Sequence, residues 1–544
     1  MLGVLPTVKM PENGTDEDIT ALMCDSRHAC AGGLFIALRG AAHDGHAYAH
    51  AAYARGCRAF LCEYPPRLPE DAAVAYVPDC RHAMAALAAK FYGYPARRLT
   101  MIALTGTKGK TTTAWMICHL LSAVGVSVGY IGSGGIRYGG VALQTENTTP
   151  SALELHRVLD DMCRAHVRVV VLEVSSQALI SDRVAGLEFS ICMFTNLAPD
   201  HIGDGEHPDF AHYREAKARL FSDYGCQTVI LNADDPAAAY MLASSTAGHV
   251  YTVSCSRADA TLSASRIRLV RQEGVYGTAF LLRDAGEGEI PVSLALPGEC
   301  NVSNALLALC AARVCLASCL QLGPLPLRML APHLQELHIP GRFEVVKTVQ
   351  HGVDYLIDYA HNGYSLRAAL TALRAYSPAR LVCLFGSVGA RTYSRRTELG
   401  QAACLADLCI VTTDDPGTEP PEDTMREICR VLEEAGKEYV AIPDREAAIR
   451  YAVAHAQPGD LVLLAGKGHE THQLIGEERQ PFSERAILLA ATQEAGAILK
   501  KGRHAGNTCV PPLFYIPRQA APMMPASLPS SAIFSSVGLT TPPP

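Results

Sequence analysis

A chain of 544 residues is long enough for several buried cores, at roughly 150 residues per domain. Hydrophobic residues make up 49% and charged residues 19%, which excludes bulk disorder and a collagen-like repeat. Lys and Arg total 47 against 54 Asp and Glu, a net charge of −7, so the chain lacks the basic footprint of a general nucleic-acid binder.

The 19 cysteines are odd in number, scattered from Cys24 to Cys509 and never spaced C-x-x-C. They read as small hydrophobes in a reducing cytosol, not as a disulfide framework or zinc ribbon. The N-terminus has no basic region followed by an apolar run, so no secretory signal is expected. The longest uncharged run, Thr111 to Ile136, holds His119 with several Ser and Gly, and predicts a soluble helix and strand, not membrane insertion.

In chain order, residues 1–98 mix short apolar strands (Leu34–Leu38, Ala59–Cys62) with an Ala-rich helix, His82–Tyr92, and predict a small α/β unit. From Thr100 the pattern becomes apolar run, glycine turn, helix. Met101–Leu104, Val169–Val174, Ile191–Thr195 and Thr228–Asn232 are continuous apolar runs, the mark of parallel strands buried on both faces, so residues 99–332 predict a doubly wound sheet. Beyond Pro340 the alternation resumes with Leu381–Phe385, Leu408–Thr413 and Leu461–Ala465, which predicts a third domain of the same class over 333–502. Residues 503–544 carry nine prolines and are expected not to fold.

The run Leu104-Thr105-Gly106-Thr107-Lys108-Gly109-Lys110-Thr111-Thr112 follows a strand and opens a helix, Thr112 to Ser122. Glycines let backbone N–H groups close around phosphate oxygens, Lys110 neutralises charge, and the Thr111 hydroxyl can ligate magnesium. Leu104 stands where the strict Walker spacing has Gly, so this is a shorter variant. In Pro208–Ser222, Phe210, Tyr213, Leu220 and Phe221 form a helical stripe that carries Lys217 onto the buried face. Burial lowers a lysine pKa and frees an amine able to react with CO2, although a lysine whose stem alone is buried is the commoner case.

The P-loop variant resembles the Mur ligase superfamily, and other segments resemble it too. Val169-Val-Val-Leu-Glu173-Val-Ser175-Ser176 sets a carboxylate at a strand end, where an open α/β sheet places metal ligands, and Thr195-Asn-Leu-Ala-Pro-Asp200-His201 follows the next strand. The resemblance implies a magnesium shell of Thr111, Glu173, His201 and a carbamylated Lys217. It also implies a three-domain architecture with a central P-loop ATPase-like sheet and a C-terminal Rossmann-like domain. Asp25-Ser26-Arg27 with Asp44-Gly45 is similar to the uridine-nucleotide domain of the tripeptide-synthetase branch, with Ser26 as contact. Asn147-Thr148-Thr149-Pro150 and Ser175 to Arg183 match that branch's muramoyl-peptide contacts, with Ser181 where many members carry an amide. Asn304, Arg342 and Asp358 match segments that meet the nucleotide.

The implied reaction uses ATP and Mg2+ to phosphorylate the D-Glu carboxylate of UDP-MurNAc-L-Ala-D-Glu. A free amino acid's amine then attacks the acyl phosphate, in peptidoglycan synthesis by a cytoplasmic monomer. Gly466, Glu470 and Arg396 match general amino-acid recognition. Branch members that add meso-diaminopimelate carry Asp-Asn-Pro-Arg. Here the stretch is Asp414-Asp415-Pro416-Gly417-Thr418-Glu419, which lacks the arginine and adds acidity. The expectation is L-lysine or a similar diamino acid as acceptor. The alternative is meso-diaminopimelate, with Arg391 or Arg395 reaching its distal carboxylate. A folylpolyglutamate-synthetase-like ligase is disfavoured by Asp25-Ser26-Arg27, and a non-catalytic nucleotide-binding scaffold by the retained Lys110, Glu173, His201 and Lys217.

Overall fold

In the computed structural model, the described residues are 2–505 except 6, 10–17, 41–42, 204–205, 273, 324 and 390–392; the Pro-rich segment beyond 505 lies outside them. Residues 1–495 form one compact unit, and a second unit of 496–544 is described only for the end of the helix Glu484–Ala505.

Three larger sheets and a two-stranded ribbon, His472–Ile475 with Glu478–Pro481, hold the described strands. The first has four parallel strands in chain order, Ala21–Met23, Gly33–Ile36, Ala59–Cys62 and Ala73–Tyr76, backed by the helix Cys80–Phe91. The central sheet has 11 strands. Its middle is parallel, with Thr100–Thr105 flanked by Val169–Glu173 on one side and Ile191–Phe194 on the other. These strands are buried along nearly their whole length, which accounts for their unbroken apolar composition. The chain leaves Thr100–Thr105 towards Val128–Gly132 and later recrosses to Ile191–Phe194, so Thr100–Thr105 sits at the switch point where such sheets open a crevice at their carboxyl ends.

An antiparallel extension, Leu262–Gln272, Val275–Asp284 and Gly288–Leu294, widens this sheet and was not legible as an apolar run. Its strands are half exposed and alternate, so they carry the two-residue period in place of continuous hydrophobicity. The helix Glu299–Val314, with its continuation to Cys319, is long and apolar enough to cross a membrane, but it is a core helix with Val302 and Ala305 to Ala312 fully buried. The third sheet runs Glu344–Val346, Asp354–Asp358, Asp460–Ala465, Arg380–Phe385, Leu408–Val411, Tyr439–Ala441, parallel except for its first strand. Its carboxyl ends present Asp358, Gly466 and, one turn beyond Val411, Asp414. The described cysteines are all free thiols.

Candidate active site

The phosphate loop is shaped by what surrounds it. A Cβ on Gly106 would lie 1.9 Å from Thr195 Oγ1, and one on Gly109, whose φ is +84°, would lie 2.4 Å from Asn304 Oδ1. Only glycine fits both places. Asn196 clamps the loop: its carbonyl accepts from Thr107 N at 2.8 Å, its Oδ1 accepts from Lys108 N at 2.9 Å, and its Nδ2 donates to Lys108 O at 3.0 Å. Asn304 accepts from the Thr113 hydroxyl at 3.2 Å and donates to Asn301 at 3.1 Å, which ties the core helix to the helix that follows the loop. Thr112 is buried in the first turn of the helix Lys110–Ala123.

Glu173 is fully buried at the end of its strand. Its Oε2 accepts from Thr111 Oγ1 at 3.0 Å, and its Oε1 accepts from Tyr130 Oη at 2.5 Å and Ser133 N at 3.3 Å. A carboxylate and a hydroxyl at a P-loop are hard oxygen donors of the kind magnesium selects, so this set fits the expected magnesium ion. Lys110 Nζ donates to Gly106 O at 2.7 Å and Lys217 Nζ to the same carbonyl at 2.9 Å. Lys217 is 2% exposed and packs over Tyr213. Burial, with the Lys110 ammonium adding to it, holds its pKa well below the ordinary lysine value; burial likewise lowers Lys110 to about 8.

His201 does not join this group. Its imidazole is exposed, with Nδ1 3.0 Å from Glu206 Oε1, and lines a cleft of about 200 Å³ together with Thr107, Lys108, Asp200, Asn362 and Arg395. The neighbouring Asp200 takes the more central place. Lys108 Nζ is 3.0 Å from its Oδ2, Arg395 is 4.0 Å from its Oδ1, and Asn362 Nδ2 donates to it at 3.5 Å. Burial acts to raise its pKa, but Lys108 and His201 outweigh that and bring it to about 2.

Among the residues expected to meet the muramoyl peptide, Thr149 bonds Glu173 and three others link to it or to Ser133. Thr149 donates to Glu173 O at 2.9 Å and accepts from Ser175 N at 3.1 Å, Arg183 donates to Thr149 O at 3.0 Å, and Thr148 Oγ1 lies 3.0 Å from Ser133 Oγ. Ser175 caps the helix Ser176–Ile180, and Ser181 closes it. Ser26 lies in the turn Ser26–His28 of the first domain.

In the third domain, Asp358 accepts from Phe343 N at 2.8 Å, and Arg342 lies over the Tyr359 ring. Tyr359 Oη donates to Glu470 Oε1 at 3.2 Å. Lys467, fully buried, stands among three carboxylates: Glu470 at 2.6 Å, Asp415 at 2.7 Å and Asp414 at 3.6 Å. Arg396, expected in amino-acid recognition, is paired with acidic side chains. It is 1% exposed, with its guanidinium 2.6 Å from Glu419 and 3.2 Å from Glu427. Tyr130, Ser133, Asp200 and Lys467 were not singled out from the sequence. Asp200 lies inside the Thr195–His201 stretch and Lys467 between the noted Gly466 and Glu470, whereas Tyr130 looks like any aromatic in a buried strand.

Residues 104–312 match the family model of the Mur ligase middle domain, 341–468 the Mur ligase glutamate ligase domain, and 18–92 the Mur ligase family catalytic domain. A UDP-N-acetylmuramoyl-L-alanyl-D-glutamate–2,6-diaminopimelate ligase of Geobacillus kaustophilus is 39% identical over 496 residues, covering 89% of this chain and 97% of its own. The chain belongs to the Mur ligase family. It is an ATP-dependent acid–amino-acid ligase of peptidoglycan synthesis. A ligase of the same name from Chlorobaculum tepidum is 38% identical over 487 residues, covering 88% of this chain and 93% of its own. A solved structure of such a diaminopimelate ligase superposes with TM-score 0.62 at 28% identity, covering 91% of this chain and 98% of its own. A Mycobacterium tuberculosis folylpolyglutamate synthase superposes at 0.57 with 17% identity, which shows a shared fold alone.

These Mur ligase relatives overturn the expectation of lysine as acceptor, since they are named for 2,6-diaminopimelate. The structure shows where that argument failed. The added acidity is not free: Asp415 is held by Lys467 and Glu419 by Arg396. Paired in this way, the two carboxylates no longer argue against an acceptor with a distal carboxylate.

Proposed function

We propose that this Mur ligase uses ATP to join meso-diaminopimelate to the D-Glu carboxylate of UDP-MurNAc-L-Ala-D-Glu in the cytoplasm. The observation that carries this reading is the 39% identity over 496 residues to a ligase named for that reaction. In the proposed site Lys110 faces the transferring phosphoryl group and balances its dispersed charge, while Thr148, Thr149, Ser175, Ser181 and Arg183 hold the muramoyl peptide against Glu173. Ser26 receives the uridine nucleotide, and Asn304, Arg342 and Asp358 receive ATP. Magnesium supplies further phosphate neutralisation when bound; Thr111 and Glu173 would hold it, with a carbamate on Lys217 as another oxygen donor.

A buried, neutral Lys217 amine adds to CO2, forming an N–C bond and releasing one proton, which a charged ammonium cannot do. The acceptor amine then displaces phosphate from the acyl phosphate, in a cleft that must keep water out until the amine arrives. Incubation with ATP, Mg2+, UDP-MurNAc-L-Ala-D-Glu and a panel of amino acids, read by phosphate release and product mass, tests the reading. The expected product carries one diaminopimelate. Turnover with other acceptors and none with diaminopimelate would overturn it.

A further inference from the structure

The loop Gly466–Glu470 contributes Lys467 and Glu470 to the charged cluster and, at His469, makes a contact that leaves its own domain. His469 Nε2 lies 3.0 Å from the backbone carbonyl of Ser133 in the central domain. A carbonyl only accepts, so the imidazole carries its proton on Nε2 and donates. Ser133 is no ordinary surface residue: its N–H donates to Glu173 Oε1 at 3.3 Å and its Oγ lies 3.0 Å from Thr148 Oγ1. One hydrogen bond therefore ties the loop bearing Lys467 and Glu470 to the residue that touches both the buried carboxylate and the muramoyl-peptide threonine.

The loop is built to hold that ring in place. A Cβ on Gly341 would lie 2.1 Å from His469 N, so the turn Pro340-Gly341-Arg342 presses directly on the loop backbone. The Tyr359 ring lies 5.1 Å from the imidazole on another side, while its hydroxyl holds Glu470. Burial lowers the pKa of His469, with Arg342 adding to the effect, so the ring stays neutral and keeps this donor pattern near neutral pH. Asp414 and Asp415 are reached through Lys467 on the same loop, so shifting His469 shifts the entire acceptor-side cluster relative to Glu173.

We propose that His469 is a positioning residue that registers the acceptor-binding loop on the central domain through the Ser133 carbonyl, placing the incoming amine over the acyl phosphate. This rests on the ligase reading above, and the test separates the two. For wild type, His469→Leu and His469→Gln, two activities are measured. One is diaminopimelate ligation. The other is acyl-phosphate formation without acceptor, read as positional isotope exchange in γ-18O-labelled ATP with UDP-MurNAc-L-Ala-D-Glu.

Displacement of a reacting group by about an ångström costs on the order of 100-fold. His469→Leu is therefore expected to lose about that factor in kcat/KM for the acceptor while retaining exchange within about threefold. His469→Gln, which keeps an N–H donor, should recover at least about a tenth of the wild-type value. Unchanged acceptor kcat/KM in the Leu variant, or exchange lost in step with ligation, would overturn the proposal. If the Leu variant does not fold, His469→Asn, whose amide is too short to reach Ser133, takes its place under the same criteria. A wild type that exchanges but ligates no diaminopimelate would sink the functional reading instead.

Discussion

Lys467 is a buried cation whose removal should destabilise this protein measurably. The perturbation is Lys467→Met, which keeps the volume and deletes the ammonium among Glu470, Asp415 and Asp414. Removing one partner of a buried charge pair costs about 3–5 kcal/mol, because the other charge is left uncompensated. Asp415 and Glu470 keep 19% and 24% of their side-chain surface in water, which places the expected loss near the lower end, about 3 kcal/mol. For a domain of this size that is a melting-temperature drop of roughly 6–12 °C.

The loss should depend on pH. Burial raises Asp414 to about 6, against the opposing pull of Lys467 and Arg445. A folded pKa above the unfolded one means the folded state holds the proton more tightly, so this group's contribution is present below about 4 and is lost as pH rises through about 6. Below pH 6 Asp414 is protonated and one carboxylate of the three needs no counter-charge, so the deficit should shrink by about a third between pH 7.5 and pH 5. Thermal unfolding of both proteins at the two pH values is the assay. A variant melting within about 2 °C of wild type at pH 7.5, or a deficit that grows on acidification, would show that Lys467 does not balance these carboxylates.

Lys217→Ala should abolish ligation and Lys217→Glu should restore part of it by supplying a carboxylate at the same helix position; full activity in the Ala variant would end the carbamate assignment. Lys110, lowered to about 8 by burial, is only partly protonated near pH 8.5, so binding of the ATP phosphates there should draw up to one proton onto it. Calorimetry in buffers of different ionisation enthalpy should detect that uptake in wild type and not in Lys110→Met. Arg395→Ala should raise the KM for diaminopimelate by about 10-fold to 150-fold if its guanidinium meets the distal carboxylate, the worth of one charge-assisted bond at about 1.5–3 kcal/mol; an unchanged KM would leave that role to another residue. Asp200→Asn removes a carboxylate with a pKa of about 2, so it should cost roughly 2 kcal/mol at neutral pH in urea unfolding. That contribution is present above about 4 and lost as pH falls towards 2, so a deficit that persists unchanged below pH 3 would count against it.

The chemistry written in contiguous residues was legible in the chain. A glycine loop between an apolar run and a helix has one physical reading, and the stripe that buries Lys217 follows from helical spacing. Continuous apolar runs likewise announce parallel strands, because both faces of such a strand are covered. The missed antiparallel extension has only alternate positions buried, and alternation over half-exposed strands is a weaker signal.

What the tertiary structure alone decided is which charges neutralise one another. From the sequence, Asp415 and Glu419 read as added acidity suited to an acceptor ammonium, and Arg396 as a match to general amino-acid recognition. In the fold, Lys467 is brought to Asp415 from 52 residues away, and Arg396 turns inward to Glu419 from 23 away. The same applies to His201, which lies next to the residue that engages Lys108 but does not itself reach Glu173, and to Tyr130, which meets Glu173 only because their strands are neighbours in the sheet. A residue's type fixes the charge it can carry, but burial and the partner delivered from a distant segment fix whether that charge is available to a substrate, and neither is written in local spacing.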